Sequence, residues 1–540
     1  MAEFFLGFDF STQSLTGIII DYRSKQVIYR ENINYGDDLS LYKYKNGIIV
    51  NENSQQVHSN PLMWIEALEL FFQKLFFSEI NVKSIKAISG SAQQHGTVYL
   101  NNKFEEKVNN LDPNTSLVDQ LKDSLSRETS PIWMDSSTTK QCKEIREKLG
   151  GKKKVIILTG SDTFERFSGP QIRKFYQQNP QKYGNTKIIH LISSFLASIL
   201  TGKKAPIDYG DGAGMNLMNI KQKIWDENAL NATAPNLKEK LPPLTESYKI
   251  IGNISQYFIK KYNFSPETKI IAWSGDNPNS LIGTGLIKRG RFAFSLGTSD
   301  TYFGYLQKLQ FDMKGEGHIF GAPTGDYMSL ICFKNGSLAR EKIKDDYNLT
   351  WEEFSNILNK TIPGNYGRIM LPYFFPEIVP IVLQPKVFRF GFDENDMEAN
   401  IRAIIEAQFL SMRLHSDWIE EKPKKIYATG GASANKEILQ IAADIFKTPI
   451  IKYEITDSAA LGAAFRATYS YYITQNSNLK WERLIDSFMK EQKQEKINPT
   501  LTNGPLYDDM LQIYDKFEKF VLKNAENPEI YRKEFIQKYY

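Results

Sequence analysis

Two aspartates three residues apart, Asp208 and Asp211, lie in "IDYGDGAGMNL" (207–217), and Gly210, Gly212 and Gly214 flank the second. No hydrophobic period runs through the stretch, although apolar residues lie on both sides. A carboxylate carried on such backbone beside a core can be held close to a substrate, where it takes the proton of an attacking hydroxyl. The same residues also build an ordinary surface turn. Other chemistry-bearing residues occur in similar settings. His95 stands in "ISGSAQQHGTVYL" (88–100), where an apolar strand ends in a polar cluster. Arg166 stands in "GSDTFERFSG" (160–169), and Asp276 and Asn277 end the apolar strand "KIIAWSGDN" (269–277). Pro278 follows directly and biases Asn277 towards extended backbone. Taken singly, each of these fits a turn or a solvated charge as well as a ligand contact.

Phosphate handling needs backbone N–H groups or cations, and G-x4-G-K-[ST] occurs nowhere in the chain. Two other stretches offer an alternative cradle. "FFLGFDFSTQSLTGIII" (4–20) and "RFAFSLGTSDTYFGYL" (291–306) each begin with period-2 alternation, break into a small hydroxyl-rich turn, and resume as an apolar strand. This is a β-hairpin whose tip presents successive N–H groups to an anion. Asp9 ends the first strand, where a carboxylate can hold Mg2+ through water. A hairpin tip of this composition commonly does no more than turn the chain; two of them, one with an acid at its base, point towards a nucleotide. Gly430 and Gly431 separate a strand from a helix in "KKIYATGGASANKEILQIAADIF" (424–446), which lets a ligand approach the helix N-terminus and also serves as a plain turn.

One hairpin in each half predicts two domains of related architecture. The proline-rich "KLPPLTES" (240–247), a helix near 253–262 and a strand from 269 place the boundary in that region. Ile438, Ile441, Ala442 and Ile445 repeat at helical spacing, and "DSAALGAAFRAT" (457–468) predicts a helix of small residues suited to close packing. Beyond about residue 470 the chain becomes charged and helical, as in "KWERLIDSFMKEQKQEK".

The 540 residues, 41% hydrophobic and 24% charged, have ordinary globular composition and suit two domains or more. A formal charge of +5 over this length is too weak to argue for nucleic acid or a membrane, and no basic run forms a patch. Cys142 and Cys332 make neither a disulfide framework nor a metal spacing and predict a reducing, cytoplasmic setting. The N-terminus reads as a strand, and the longest apolar stretch, "HLISSFLASIL" (190–200), is too short to span a bilayer.

In order along the chain, "GFDFSTQS", "QQHG", "PIWMDSS", "GDGAGMN", "SGDNP", "SLGTSDT", "ATGGAS" and "AALGAA" resemble the motifs of the FGGY carbohydrate kinases, members of the actin/hexokinase/Hsp70 superfamily. Several, with "CFKNGSLAREKI" (332–343), look specifically like those of eukaryotic-type xylulose kinases. The resemblance implies an α/β fold of two ribonuclease-H-like domains with a central cleft: a sugar-binding domain over 1–268, an ATP-binding domain over 269–475 and a helical extension over 476–540. It implies ATP-dependent phosphorylation of D-xylulose to D-xylulose 5-phosphate, with MgATP as co-substrate, by a monomer or homodimer.

The resemblance also assigns roles. Asp211 is the general base, and Asp208 supports its turn. His95, Arg166, Asp276 and Asn277 bind sugar hydroxyls. Asp9, Ser11, Thr12 and Gln13 form one phosphate loop, and Gly297, Thr298 and Ser299 the other, with Asp9 holding Mg2+. Trp351 packs near adenine, and Gly430, Gly431 and Asn435 line the nucleotide. The chain departs from the family pattern at Ser11, which stands for a glycine, at Thr16, which stands for a basic residue, and in lacking the tryptophan of the first signature. A sugar or polyol kinase acting on ribulose, gluconate or glycerol, an actin- or Hsp70-like ATPase and a non-catalytic sugar sensor are the rival readings. "QQHG", "GDGAG" and "SGDNP" speak against the ATPase, and the presence of both Asp9 and Asp211 against the sensor.

Overall fold

The computed structural model describes residues 3–42, 44–452, 457–489 and 495–540. Two seven-stranded sheets dominate the described residues, and they share one plan. In the first, Phe4–Phe10 pairs antiparallel with Ser14–Asp21, which pairs antiparallel with Gln26–Asn34. On its other edge Phe4–Phe10 runs parallel to Ile85–Ala92, which in turn pairs parallel with Lys269–Ile271. In the second, Arg291–Leu296 pairs antiparallel with Asp300–Leu306 and parallel with Lys425–Thr429, which pairs parallel with Ile450–Lys452. Tyr327–Phe333 and His318–Gly321 extend the antiparallel edge. Both expected hairpins are present, and the architecture is the two-domain α/β fold.

The period-2 residues of each hairpin feed a core. Leu6, Phe8 and Phe10 are fully buried with Trp273, Phe71 and Phe72, and Phe292, Phe294 and Leu296 lie in the second core with Ile438, Ile441 and Ile445. Burial of a side chain of this size contributes about 1.5–3 kcal/mol. The helix Ser458–Thr474 packs on Phe4–Phe10 and on the helix Asp276–Gly283, where small residues are obligatory. A Cβ on Gly462 would lie 2.0 Å from the Asn279 carbonyl oxygen, and one on Gly7 would lie 2.1 Å from that of Ala460.

The boundary differs from the one expected at 268/269. Lys269–Ile271 and Ser274–Gly275 both hydrogen-bond to Ile85–Ala92, so they complete the first sheet. An apolar strand satisfies its backbone only beside a partner strand, and the partner lies there. The stretch 476–540 is likewise no separate helical extension. Trp481–Met489 packs with Phe5, Ile18 and Ile20 of the first sheet. Glu495–Ile497 adds a strand to the second sheet, and Gly504–Lys523 and Glu529–Tyr539 bury Tyr507, Tyr514, Phe517 and Phe535 in the second core. Residues 490–494 lie outside the described residues. No helix among the described residues is long and apolar enough to cross a membrane.

Candidate active site

Asp211 lies in a short helix, Tyr209–Ala213, whose N-cap is Asp208. Asp208 Oδ1 accepts from the Asp211 N–H (2.8 Å), and its other oxygen accepts from Ser247 Oγ. This is the turn-supporting role expected of it. Asp211 Oδ2 accepts from Ser193 Oγ (2.5 Å), while Oδ1 is buried without a partner. Burial raises the Asp211 carboxyl well above the ordinary range, and the nearby Asp208 and Asp276 push the same way. A basic carboxylate with one oxygen fixed and one unclaimed is what a general base requires.

The glycines around Asp211 pack closely against protein groups. None has positive φ. A Cβ on Gly214 would lie 2.8 Å from His95 Nδ1, one on Gly212 2.8 Å from Leu244, and one on Gly210 2.9 Å from the Gly321 carbonyl oxygen. The first contact positions a histidine. The Gly214 carbonyl accepts from His95 Nδ1 (2.9 Å), so the proton sits on Nδ1 and Nε2 is an acceptor. Burial brings the His95 pKa down to about 3, and Arg166 adds to the shift, so the ring is neutral. Its backbone has φ +73°, a costly conformation for a residue with a Cβ, of the kind that clusters at functional sites.

Asp276 and Asn277 open the helix Asp276–Gly283 instead of ending an extended strand. Pro278 falls in the first turn, where its missing N–H has no intrahelical partner to lose, so the bias towards extended backbone at Asn277 is overridden. Side-chain bonds hold Asn277 instead. Asn277 Nδ2 donates to Gln94 Oε1 (2.7 Å) and to Asp276 Oδ1 (3.0 Å), which also accepts the Asn277 N–H (2.8 Å). Burial raises the Asp276 pKa to about 7, with Asp9 contributing. Asp276 thus feels the charge of Asp9, as Asp211 feels that of Asp276.

The first hairpin tip is tight: the Ser11 N–H donates to the Ser14 carbonyl (2.9 Å) and Ser11 Oγ to Asp9 Oδ2 (2.6 Å). Thr12 Oγ1 accepts from Trp133 Nε1 (2.8 Å) and Gln13 Oε1 from Asn46 (3.2 Å). Burial raises the Asp9 carboxyl, and its Oδ1 is enclosed with no partner. That orphaned oxygen fits a Mg2+ ion that keeps most of its waters and needs only one carboxylate from the protein. Among the described residues no group of three or more His, Cys, Asp or Glu could hold a metal alone. Thr16, where the family pattern has a basic residue, accepts from Asn32 within the sheet.

At the second tip, Thr298 and Ser299 are exposed, and a Cβ on Gly297 would meet only the Ser299 carbonyl oxygen, at 3.6 Å. The Ser337 N–H braces the turn by donating to the Gly297 carbonyl (2.8 Å). A buried ion pair, Arg340 to Asp300, anchors the strand that follows. Beside it a cavity of about 500 Å3 is lined by Ser337, Trp351, Ser355, Gly431, Asn435 and Ile438. Trp351 and Asn435 thus meet Gly431 there. Asn435 caps the helix Lys436–Phe446 and donates to Ser355 (2.5 Å), so its side chain shapes the wall. The two glycines differ. A Cβ on Gly431 would have nothing within 4 Å, and this residue opens on the cavity, whereas Gly430, at φ +90°, is required by the Leu296 backbone 2.5 Å away.

Three further residues that bond to these groups escape sequence reasoning. Arg466 is fully buried and donates to the Ser247 and Ala272 carbonyls and to Asn279 Oδ1, placing a cation among the carboxylates. Burial brings its pKa down to about 10, opposed by Asp208 and Asp211. A lone arginine amid "AALGAAFRAT" is the signal for it. Ser193 has no local signal, nor has His318, whose Nε2 accepts from Arg166 Nη2 (2.9 Å) across the two domains.

Against this geometry stand the comparisons with known proteins. The FGGY family of carbohydrate kinases matches through its N-terminal domain over residues 4–283 and its C-terminal domain over residues 293–471. The chain is 39% identical over 534 residues to xylulose kinase of Rattus norvegicus, covering 97% of this chain and 98% of that one. It is 41% identical over 488 residues to xylulose kinase 2 of Arabidopsis thaliana, covering 86% and 87%. In fold it resembles a ligand-bound xylulose kinase from Lactobacillus acidophilus, with a TM-score of 0.80 at 20% identity over 96% of this chain and 99% of that chain.

Proposed function

Because the chain belongs to the FGGY family of carbohydrate kinases, we propose that it transfers the γ-phosphoryl group of ATP to the 5-hydroxyl of D-xylulose, giving D-xylulose 5-phosphate. The sugar assignment is supported by the xylulose kinases of rat and Arabidopsis, 39% and 41% identical to this chain. The observation that carries the chemistry is the Asp211 carboxylate, with Oδ2 fixed by Ser193 and Oδ1 buried and unclaimed.

Phosphoryl transfer asks the protein for positioning and charge neutralisation more than for covalent chemistry. Asp211 Oδ1 accepts the proton of the attacking hydroxyl. Neutral His95 and the Asp276–Asn277 pair hold the other hydroxyls, each fixed by its own bond to Gly214 or Gln94. The two hairpin tips take the phosphates, and the cavity beside Trp351 takes the base and ribose. Asp9 would hold Mg2+ through water, and the ion supplies neutralisation of phosphate charge when bound.

A coupled ADP-release assay over ketoses and polyols tests the reading. D-xylulose should give the highest kcat/KM in the panel. A higher value for ribulose, gluconate or glycerol would reassign the sugar within the family, and ADP release independent of any sugar would remove the kinase reading.

A further inference from the structure

The sugar-side residues gathered above come from the first domain, yet one of them is held by the second. His318 lies on the edge strand His318–Gly321 of the second sheet. That strand is seated on the first domain: the Ile319 N–H donates to the Gly160 carbonyl (3.1 Å), and Gly321 abuts the backbone of Tyr209. His318 is buried among Phe164, Phe167 and Phe320, with ring centroids 4.6, 5.4 and 5.8 Å away. Phe167 also packs on His95, at 4.6 Å. Into this aromatic setting comes the Arg166 guanidinium, lying over Phe164 and Phe167.

The chemistry of the contact is determined. Arginine only donates, so His318 Nε2 accepts, and the ring proton sits on Nδ1. The ring is neutral, since burial and the neighbouring Arg166 hold its pKa well below the ordinary value. Nδ1–H is itself buried without a partner, so the residue leaves a donor unmade in a dry environment. A core position chosen for packing alone would take a fourth phenylalanine and avoid the cost of a buried donor left unmade. The histidine therefore supplies something that packing does not.

We propose that His318 is a positioning residue for sugar recognition: it fixes the Arg166 guanidinium through Nε2, so that the second domain orients a sugar-binding group carried by the first. This rests on the reading of Arg166 as a sugar ligand. Sugar affinity then depends on a residue of the nucleotide-binding domain that touches neither the adenine cavity nor the hairpin tips.

The test compares His318→Phe, which keeps the aromatic packing and removes the acceptor, with His318→Gln, whose amide oxygen can accept from Arg166. Both are measured for KM of the sugar and of ATP, for kcat and for melting temperature, using D-xylulose or whichever panel sugar the wild type phosphorylates best. His318→Phe should raise the sugar KM about tenfold, the factor for about 1.4 kcal/mol. ATP KM should stay within about twofold, and His318→Gln should recover most of the loss. In an Arg166→Ala background the His318→Phe change should cost nothing further, because its effect acts through the arginine. Should the phenylalanine variant not fold, His318→Met, flexible and without a strong acceptor, takes its place in the same cycle. Equal effects of Phe and Gln, equal rises in both KM values, or an undiminished effect in the Arg166→Ala background would overturn the proposal. A wild-type protein that binds no sugar of the panel would overturn the kinase reading as well, whereas an active wild type with an unmoved sugar KM in His318→Phe would overturn this inference alone.

Discussion

Gly210 and Gly321 face each other across the two domains, with a Cβ on Gly210 falling 2.9 Å from the Gly321 carbonyl oxygen. Gly210 precedes Asp211, and Gly321 ends the second-domain strand that carries His318. The paired glycines let the second sheet's edge approach the backbone beside the proposed base. In the same position a methyl group would also lie 2.9 Å from Ser274 Oγ and 3.1 Å from Pro278. Gly210→Ala should therefore lower kcat by about tenfold or more, since a displacement on the order of 1 Å in a reacting site can cost two decades. The added methyl group displaces groups at this one contact, so far-ultraviolet circular dichroism should be unchanged. Wild-type kcat in the folded variant would show that the approach is not needed for turnover.

Asp211→Asn keeps the shape of the side chain and removes its basicity. Turnover should fall by about 10²–10⁴, the usual contribution of a general base. Sugar binding, read by calorimetry, should weaken only modestly because the amide still bonds a hydroxyl. Near wild-type turnover would exclude Asp211 as the base.

The acid at Asp276 should give sugar binding a pH dependence. Its pKa is raised to about 7, so the carboxyl gains a proton as pH falls through neutrality. A protonated carboxyl loses part of its capacity to accept from hydroxyls. The Kd for sugar should therefore increase as pH drops from 8 to 6, and Asp276→Asn should bind more weakly and with a flat profile. An unaltered slope in that variant would assign the dependence to another group.

Much of this arrangement was legible in the residues because local pattern and local chemistry agreed. The alternation Phe4, Leu6, Phe8, Phe10 gives a strand, "STQS" a turn, and the duplication at 291–306 a second domain. Asp211 stands out by its glycine company, and those glycines meet Leu244, His95 and Gly321. What could not be read depends on contacts between distant segments. Nothing near Ser193 points to Asp211, and nothing near His318 points to Arg166, 152 residues away. The return of Ser458–Thr474 to the first sheet, and the strand Glu495–Ile497 that closes the second, are likewise matters of tertiary pairing, invisible to windows of a dozen residues. Pro278 illustrates the limit from the other side: a sound local rule gave way because the first turn of a helix tolerates the residue.

His415 ties three distant segments together and should make stability fall in alkaline solution. Its Nδ1 contacts Glu316 at 2.8 Å and its Nε2 contacts Glu518 at 3.2 Å, while the Tyr373 hydroxyl donates to the same Glu518 oxygen. Burial alone would depress the histidine pKa, but the hydrogen bonds to Glu316 and Glu518 outweigh it and raise the value to about 9. The folded state therefore holds a proton that the unfolded chain releases near pH 6.5. This stabilisation is fully present below that unfolded value and is lost as pH rises through about 9. Its size is on the order of 3 kcal/mol, from a rise of about 2.5 units at 1.36 kcal/mol per unit. Thermal melts between pH 6.5 and 9.5 should show a decline in the wild type that is much reduced in His415→Gln. The gap between the two proteins should be widest at the acid end and narrow at the alkaline end. Parallel declines in both would assign the alkaline loss to groups other than this cluster, and a gap that widens with pH would contradict the sign of the linkage.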